Sequence, residues 1–406
     1  MNTLKQFIKT ITDSDKTTFL YFFTLAFNSI VALFIPLIRM LFILPFKLDT
    51  IFIFIIFSFL WIISLKHILN RLIKNSSSKI ILFFIFLNLF SSFINNFTIF
   101  NSNLNILFNI FISILFFFIG MSIVDYTVFY KLIGWVAILS FFSIILNIFV
   151  FKSDFLNSAN YNQDYGYILV LTSIVYFDKL NYKVTFFNLI IFTLSFFLIV
   201  FLGARGPLLI LLVYIILRVV IFSSRIRIFI FFWSFFILSL IFYFNLDFLE
   251  EISISLNLST RIFYVIRNFT FFNEERIRLI EISIELFLKN FFFGVGPFVD
   301  RILVANELGI TSVDIALGYY SHNFFIEILL QYGFFVSIII FGFIIILTFR
   351  ILLLKKPIVL KKVFLYFLCI GFLSLFFSSS YIESKFFYLF IGLLSNFYGN
   401  NLKYAS

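Results

Sequence analysis

Residues 324–349, FFIEILLQYGFFVSIIIFGFIIILTF, form an apolar run broken by one carboxylate, Glu327. A helix crosses the hydrocarbon layer with about 20 apolar residues, so this run can span it with some tilt. Similar runs lie near 18–38, 50–65, 80–95, 104–123, 132–151, 165–177, 184–202, 206–221, 228–244, 363–380 and 386–398. Over all 406 residues, 63% are hydrophobic and 12% charged, against about 25% charged in soluble domains. No soluble core could use so much apolar surface. A cytosolic enzyme, a secreted domain, a nucleic-acid binder and a disordered chain are therefore excluded. The fold expected is an all-α, polytopic transmembrane bundle of about 12 spans, one integral membrane domain over residues 1–406. The polar start, Met1–Lys16, precedes the first apolar stretch without a small-residue cleavage site, and reads as the lead into an uncleaved first span. The single cysteine, Cys369, lies in an apolar run and reads as a buried small side chain.

The formal charge of +11 is a topology signal. With the N-terminus inside, the inner segments hold 19 basic residues and only Asp13, Asp15, Asp125 and Asp178 as acids. The outer segments hold the remaining 11 basic and 15 acidic residues. Basic residues concentrate in cytoplasmic loops, so both termini are expected inside. Lys66–Lys79 and Arg350–Lys362 are close enough to the membrane to meet anionic lipid headgroups.

One connection breaks the pattern of short loops. Between spans nine and ten lie roughly 78 outer residues, Asn245–His322, and loops of that length are uncommon without a role. Within it, Glu274–Asn290 (EERIRLIEISIELFLKN) has helical periodicity. Ile277, Ile280, Ile284 and Phe287 share one face; Glu274, Arg278, Glu281, Glu285 and Lys289 share the other. Glu274–Arg278 and Glu285–Lys289 are favourable i,i+4 pairs, as in an amphipathic helix lying on the outer surface. Arg276 belongs to neither pair and can point at a ligand. Gly294 and Gly296, in Phe293–Pro297, are turn formers that end the helix.

Gly318–Asn323 (GYYSHN) runs into span ten, where Ser321 could cap the helix. His322 is one of two histidines. The other, His67, sits in a basic inner loop. At a helix N-terminus the dipole disfavours imidazolium, and a neutral imidazole is a competent general base. Glu327 follows one turn inside the span, where carboxylates usually face a polar interior. Arg205, in the short outer turn Leu202–Pro207 (LGARGP), must sit at membrane level. There a guanidinium can snorkel to headgroups or grip a diphosphate with two parallel hydrogen bonds. Asn157–Gln163 (NSANYNQ), outside between spans five and six, offers amides and a tyrosine to sugar hydroxyls, as many surface loops do.

The stretch ERIRLIEISIELFLKNFFFGVGP, followed by GYYSHNFFIEILLQYGFFV, resembles the O-antigen polymerase and ligase superfamily. The family pattern runs from an Arg through a helix to a Gly-x-Gly turn, matched by Arg276 and Gly294–Gly296. A His-Asn pair with a downstream Gly-x-x-Gly is matched by His322, Asn323 and Gly333. The chain departs from the pattern at Ile280, where the family often has Trp, and at Val336, in place of the last small residue. Leu202–Pro207 resembles the family's short Arg-Gly turn. The resemblance implies a glycosyltransferase that needs no metal or other cofactor and takes undecaprenyl-diphosphate-linked oligosaccharide on the periplasmic face of the bacterial inner membrane. Membrane lipids would surround it, with a chain-length regulator and a flippase as further partners and no nucleic acid. It implies His322, Arg276 and Arg205 as catalytic residues. Arg278, Asn323, Tyr320, Glu327, Gly294 and Gly296 would bind substrate. The full GYYSHNFFIEILLQYG run looks more like the polymerases than the ligases, which hand the finished chain to the lipid A core. A lipid-oligosaccharide flippase should carry intramembrane charges in both halves, whereas these spans are nearly charge-free.

Overall fold

The computed structural model describes residue 25 and residues 104–123, 125–149, 163–202, 205–222, 244–255, 261–268, 274–316, 318–353, 358–377 and 380–404. The expected spans at 50–65, 80–95 and 228–244, nearly all of 18–38, and the Asn157–Gln163 loop lie outside these residues or almost so. Among the described residues the regular structure is all helical. Four of the described stretches are long and apolar enough to cross a membrane: Tyr126–Asn147, Arg205–Phe222, Phe324–Leu353 and Ile358–Phe376. Ile110–Ser122, Phe186–Phe201 and Lys385–Phe397 are shorter apolar helices. The chain is a membrane protein with at least that helical content.

Two compact units form, one from residues 1–64 and 127–271, the other from 65–126 and 272–406. Helices are numbered from the first described one: α1 (Leu104–Ser122), α2 (Tyr126–Phe149), α3 (Gln163–Tyr182), α4 (Phe186–Phe201), α5 (Arg205–Phe222), α6 (Leu246–Ser255) and α7 (Arg261–Asn268). These are followed by α8 (Glu274–Lys289), α9 (Val299–Glu307), α10 (Val313–Ala316), α11 (Phe324–Leu353), α12 (Ile358–Phe367) and α13 (Lys385–Tyr404).

In the first unit, polar side chains join helices that are otherwise apolar. Thr172 Oγ1 donates to Ala137 O at 3.0 Å, tying α3 to α2. Ser173 and Ser195 hydroxyls bond at 2.8 Å, tying α3 to α4. Asp178 and Arg218 pair between α3 and α5; both are buried, and the Arg218 guanidinium also lies 4.4 Å from the Phe222 ring. Such contacts are the usual glue where lipid removes the hydrophobic driving force. From the sequence alone Asp178 reads only as an inner-side topology charge. At the other end of these helices, Leu246 of α6 and Phe263 of α7 are buried against Val200, Phe201 and Leu208. The start of the large loop therefore folds over the α4–α5 turn that carries Arg205.

In the second unit, α1 and α13 touch backbone to backbone. A Cβ on Gly120 would stand 2.3 Å from Leu389 O, and one on Gly392 2.3 Å from Phe117 O. Asn396 Nδ2 closes the end of α1 by donating to Ile123 O at 2.7 Å. The helix α12 continues as a π turn at Leu368–Phe372 and a 3-10 turn at Leu373–Phe376, with Cys369 buried inside it.

The run quoted at the outset is not one continuous helix. Gly333 has φ 70 and ψ 179, so α11 breaks there. The break frees carbonyls that a bilayer could not satisfy, and the turn after α8 supplies the donors. Val295 N donates to Leu330 O and Gly296 N to Gln331 O, each at 2.9 Å, while Phe334 N donates to Phe291 O at 2.8 Å. A Cβ on Gly294 would stand 2.5 Å from Gln331 O, and one on Gly333 2.2 Å from Phe292 O. Only glycine permits this approach.

The helix α8 covers nearly the segment expected, but its faces are turned from the sequence assignment. Leu279, Ser283, Leu286 and Phe287 are buried, while Ile277 and Ile284 are exposed. Leu279, Leu286 and Phe287 pack with Val304 of α9 and Leu330 of α11, so the face opposed to these helices wins over the purely isoleucine stripe. Lys289 reaches Glu307 of α9 at 3.9 Å rather than Glu285 one turn away.

Candidate active site

The polar residues of the second unit converge around Arg301. The turn Gly294-Val295-Gly296-Pro297-Phe298 holds three left-handed residues, with φ of 68 at Gly294, 90 at Gly296 and 66 at Phe298, and it launches α9. Asp300 and Arg301, in the first turn of α9, are both 2% exposed. Arg301 Nη1 donates to Glu383 Oε1 at 2.9 Å. The guanidinium carbon lies 5.2 Å from the Phe298 ring centre and 5.0 Å from that of Tyr320, within cation–π range of both.

The first turns of α11 and the segment before α13 complete the cluster. Gln331 Nε2 donates to Asp300 Oδ2 at 2.9 Å, and Gln331 Oε1 accepts from the Tyr381 hydroxyl. Since the Tyr381 proton is used there, Tyr332 must donate to Tyr381, at 3.0 Å. Ser380 Oγ donates to one oxygen of Glu327. The second oxygen of Glu327 and Asp300 Oδ1 are buried without a hydrogen-bond partner among the described residues.

Electrostatics follow from burial. Burial pushes the Asp300 carboxyl up, and Arg301 and Gln331 pull it only part of the way back. For Arg301, burial disfavours the charge, but the carboxylates of Glu383, Glu327 and Asp300 outweigh it and hold the guanidinium above its ordinary value. Burial likewise pushes the Tyr320 hydroxyl up, so it stays neutral, with opposing influences from Arg301, Glu327, Glu383 and Arg276. Tyr381 is raised first by burial and then by Tyr332 and Glu327.

His322 lies at the edge of this cluster. Its ring centre is 4.1 Å from that of Tyr320, tilted by 44°, and its backbone is left-handed at φ 50. The helix cap is Asn323, not Ser321. Asn323 Oδ1 accepts from Phe325 N at 3.0 Å and Ile326 N at 3.4 Å. Ser321 instead bridges the turn, donating to Asn323 O at 3.1 Å. The cap moves because His322 occupies the left-handed residue, leaving Asn323 as the first side chain in line with the free amides.

Arg276, half-buried in α8, donates through Nη1 to Phe377 O at 2.7 Å, at the end of the 3-10 turn. Its other guanidinium donors remain for further contacts, and its charge reaches Tyr320. Arg276, Tyr320, His322 and Glu327 thus share one neighbourhood. Arg278 is exposed on α8. The Gly294 and Gly296 amides donate to Asn290 O and Gln331 O, and Asn323 is occupied as a cap, so each has a structural task in this fold. Arg205 is the half-buried first residue of α5, in the first unit.

Arg301, Asp300, Gln331, Ser380, Tyr381 and Glu383 carry no motif that singles them out in the sequence. The available signal was the adjacent pair Asp300-Arg301, placed at once after a glycine turn in an otherwise apolar helix start. Two opposite charges there need burial partners elsewhere.

No curated protein and no solved structure matches the chain. Residues 190–341 match the family model described as O-antigen ligase. The matched region runs from α4 to the middle of α11 and includes Arg205, Arg276, Arg301 and His322. Members of this family are glycosyltransferase-like ligases and polymerases. Over residues 190–341 the chain is similar to the O-antigen ligase family, and that match supports a place in the O-antigen ligase and polymerase superfamily.

Proposed function

We propose that the chain is a polymerase of O-antigen or a related surface polysaccharide, joining undecaprenyl-diphosphate-linked repeat units on the periplasmic face of the inner membrane. The observation that carries the reading is a candidate base beside the buried polar cluster of the second unit, which also holds a candidate anion-binding cation: the His322 ring lies 4.1 Å from Tyr320, and Arg276 is held on Phe377 O at 2.7 Å. The His322 imidazole accepts the proton of an acceptor sugar hydroxyl. The hydroxyl oxygen attacks the anomeric carbon in line, the bond from that carbon to the diphosphate oxygen breaks, and the configuration inverts. The electron pair leaves on the lipid diphosphate, where positive charge is worth most in a water-poor site. Arg276 is assigned to that charge, and the imidazolium later returns its proton to solvent. Arg205 carries the same assignment on its sequence motif, and the N-terminal position on α5 supports it, since a helix start favours anions. Glu327, Tyr320 and Arg278 line or approach the sugar path, and the partners are the lipid-linked donor, membrane lipid, a chain-length regulator and a flippase.

The test is complementation in cells that have lost their polymer, with membrane levels measured alongside. His322→Ala is expected to abolish polymer while the protein stays in the membrane. Arg205→Lys is expected to lose most activity, because a point charge does not replace a two-pronged grip. Normal polymer from His322→Ala would remove the base assignment; normal polymer from Arg205→Lys would make Arg205 a headgroup anchor.

A further inference from the structure

We infer that Arg301 and Tyr320 form a positioning pair for His322: the buried guanidinium fixes the tyrosine ring, and the ring fixes the imidazole. The inference rests on the assignment of His322 as base, and it concerns two residues that do no bond-making themselves.

The backbone around His322 is set from both sides. Ser321 Oγ donates to Asn323 O, Asn323 caps α11, and the intervening residue takes φ 50, a conformation that a non-glycine residue adopts only when its surroundings impose it. These contacts fix the Cα of His322. A base must in addition point at its proton within hydrogen-bond reach. The Tyr320 ring, 4.1 Å away centre to centre, is the surface against which the imidazole lies.

The ring in turn is held by a cation that cannot move. Arg301 is 2% exposed, so it is too deep to touch a substrate from solvent. One nitrogen is anchored on Glu383 at 2.9 Å, and the flat guanidinium faces Phe298 at 5.2 Å on one contact and Tyr320 at 5.0 Å on another. Burying that charge among Asp300, Glu327 and Glu383 is costly unless geometry is well kept. The arrangement uses the planar, always-charged character of arginine: hydrogen bonds in the plane and aromatic contact across it. A lysine keeps the charge and loses that combination.

The chain has two histidines, which makes a direct spectroscopic test feasible. The full-length protein in nanodiscs, labelled with carbon-13 histidine, should give two imidazole signals, and His67→Gln assigns them. An aromatic ring lying over an imidazole shifts its proton resonances, so the His322 signal should be displaced from that of a free imidazole. Tyr320→Phe should keep the displacement. Tyr320→Leu and Arg301→Lys should lose the displacement and lower kcat by on the order of 10- to 100-fold, the cost of misplacing a reacting group by about 1 Å, with KM little changed in Arg301→Lys. The inference is overturned if the His322 signal in Tyr320→Leu or in folded Arg301→Lys matches wild type. It is overturned equally if the signal moves and kcat does not. Should Arg301→Lys fail to fold, Tyr320→Leu against Tyr320→Phe decides alone. The spectrum needs no glycan, so a failed polymerase reading leaves it standing as a separate result.

Discussion

Gly333→Ala should be among the most damaging single substitutions in α11, although a continuous apolar helix would predict the opposite. In an uninterrupted helix, Gly→Ala stabilises by about 0.5–1 kcal/mol. Here the backbone stands at φ 70 and ψ 179, a region essentially reserved for glycine, and forcing a side chain into it costs of order 1–3 kcal/mol. The new Cβ would also lie 2.2 Å from Phe292 O, 2.5 Å from Phe292 C and 2.6 Å from Phe293 N. These are backbone atoms that cannot swing aside. Relief requires the 291–296 turn to part from α11, which breaks the bonds from Val295 N, Gly296 N and Phe334 N. Three such bonds are worth about 3 kcal/mol together, so the total loss is about 4–6 kcal/mol. Gly342, on the same helix with nothing within 4 Å of its Cβ position, is the control. Thermal and denaturant unfolding of both alanine variants in detergent should separate them, with Gly342→Ala equal to or more stable than wild type. Equal stability of Gly333→Ala and Gly342→Ala would refute the break and its pairing with the turn.

Two further outcomes follow from buried charge. Asp178→Ala or Arg218→Ala alone leaves an uncompensated buried partner and should cost about 3–5 kcal/mol, whereas Asp178→Leu with Arg218→Met should cost far less; additive losses in that double variant, read by denaturant unfolding, would contradict the pairing. Asp300 has a folded pKa raised above its unfolded value, so its contribution to stability is complete below the unfolded carboxylate pKa and is lost as pH rises through the folded one. Melting curves of wild type and Asp300→Asn from about pH 4 to about pH 8 should therefore diverge, the wild type losing ground to the variant as pH rises, and parallel curves would show that Asp300 ionises without cost.

How much of this was legible in the sequence depends on the range of the forces involved. Helices with local causes were readable: α8 from its 3.6-residue period, its end from Gly294 and Gly296, α4 and α5 from apolar runs on either side of Leu202–Pro207. The start of α2 was read six residues late, because Tyr126 and Lys131 look like a loop when taken one by one. The break at Gly333 was invisible, since it is stabilised by a turn about forty residues earlier rather than by its neighbours. The buried face of α8 was misjudged because hydrophobicity alone cannot distinguish Ile277 and Ile284 from Leu279 and Leu286; only the positions of Val304 and Leu330 do. At the site, Arg276 and His322 stood out by motif. Arg301 did not, because its significance lies in Glu383, Phe298 and Tyr320, which are distant or unremarkable in sequence.

The most direct test of the central claim is a reconstituted reaction with purified protein and undecaprenyl-diphosphate-linked repeat units, with no lipid A core present. The account predicts a ladder of longer lipid-linked glycans on a gel, absent with His322→Ala. No ladder from folded protein, together with transfer of finished glycan once lipid A core is added, would contradict it and identify a ligase.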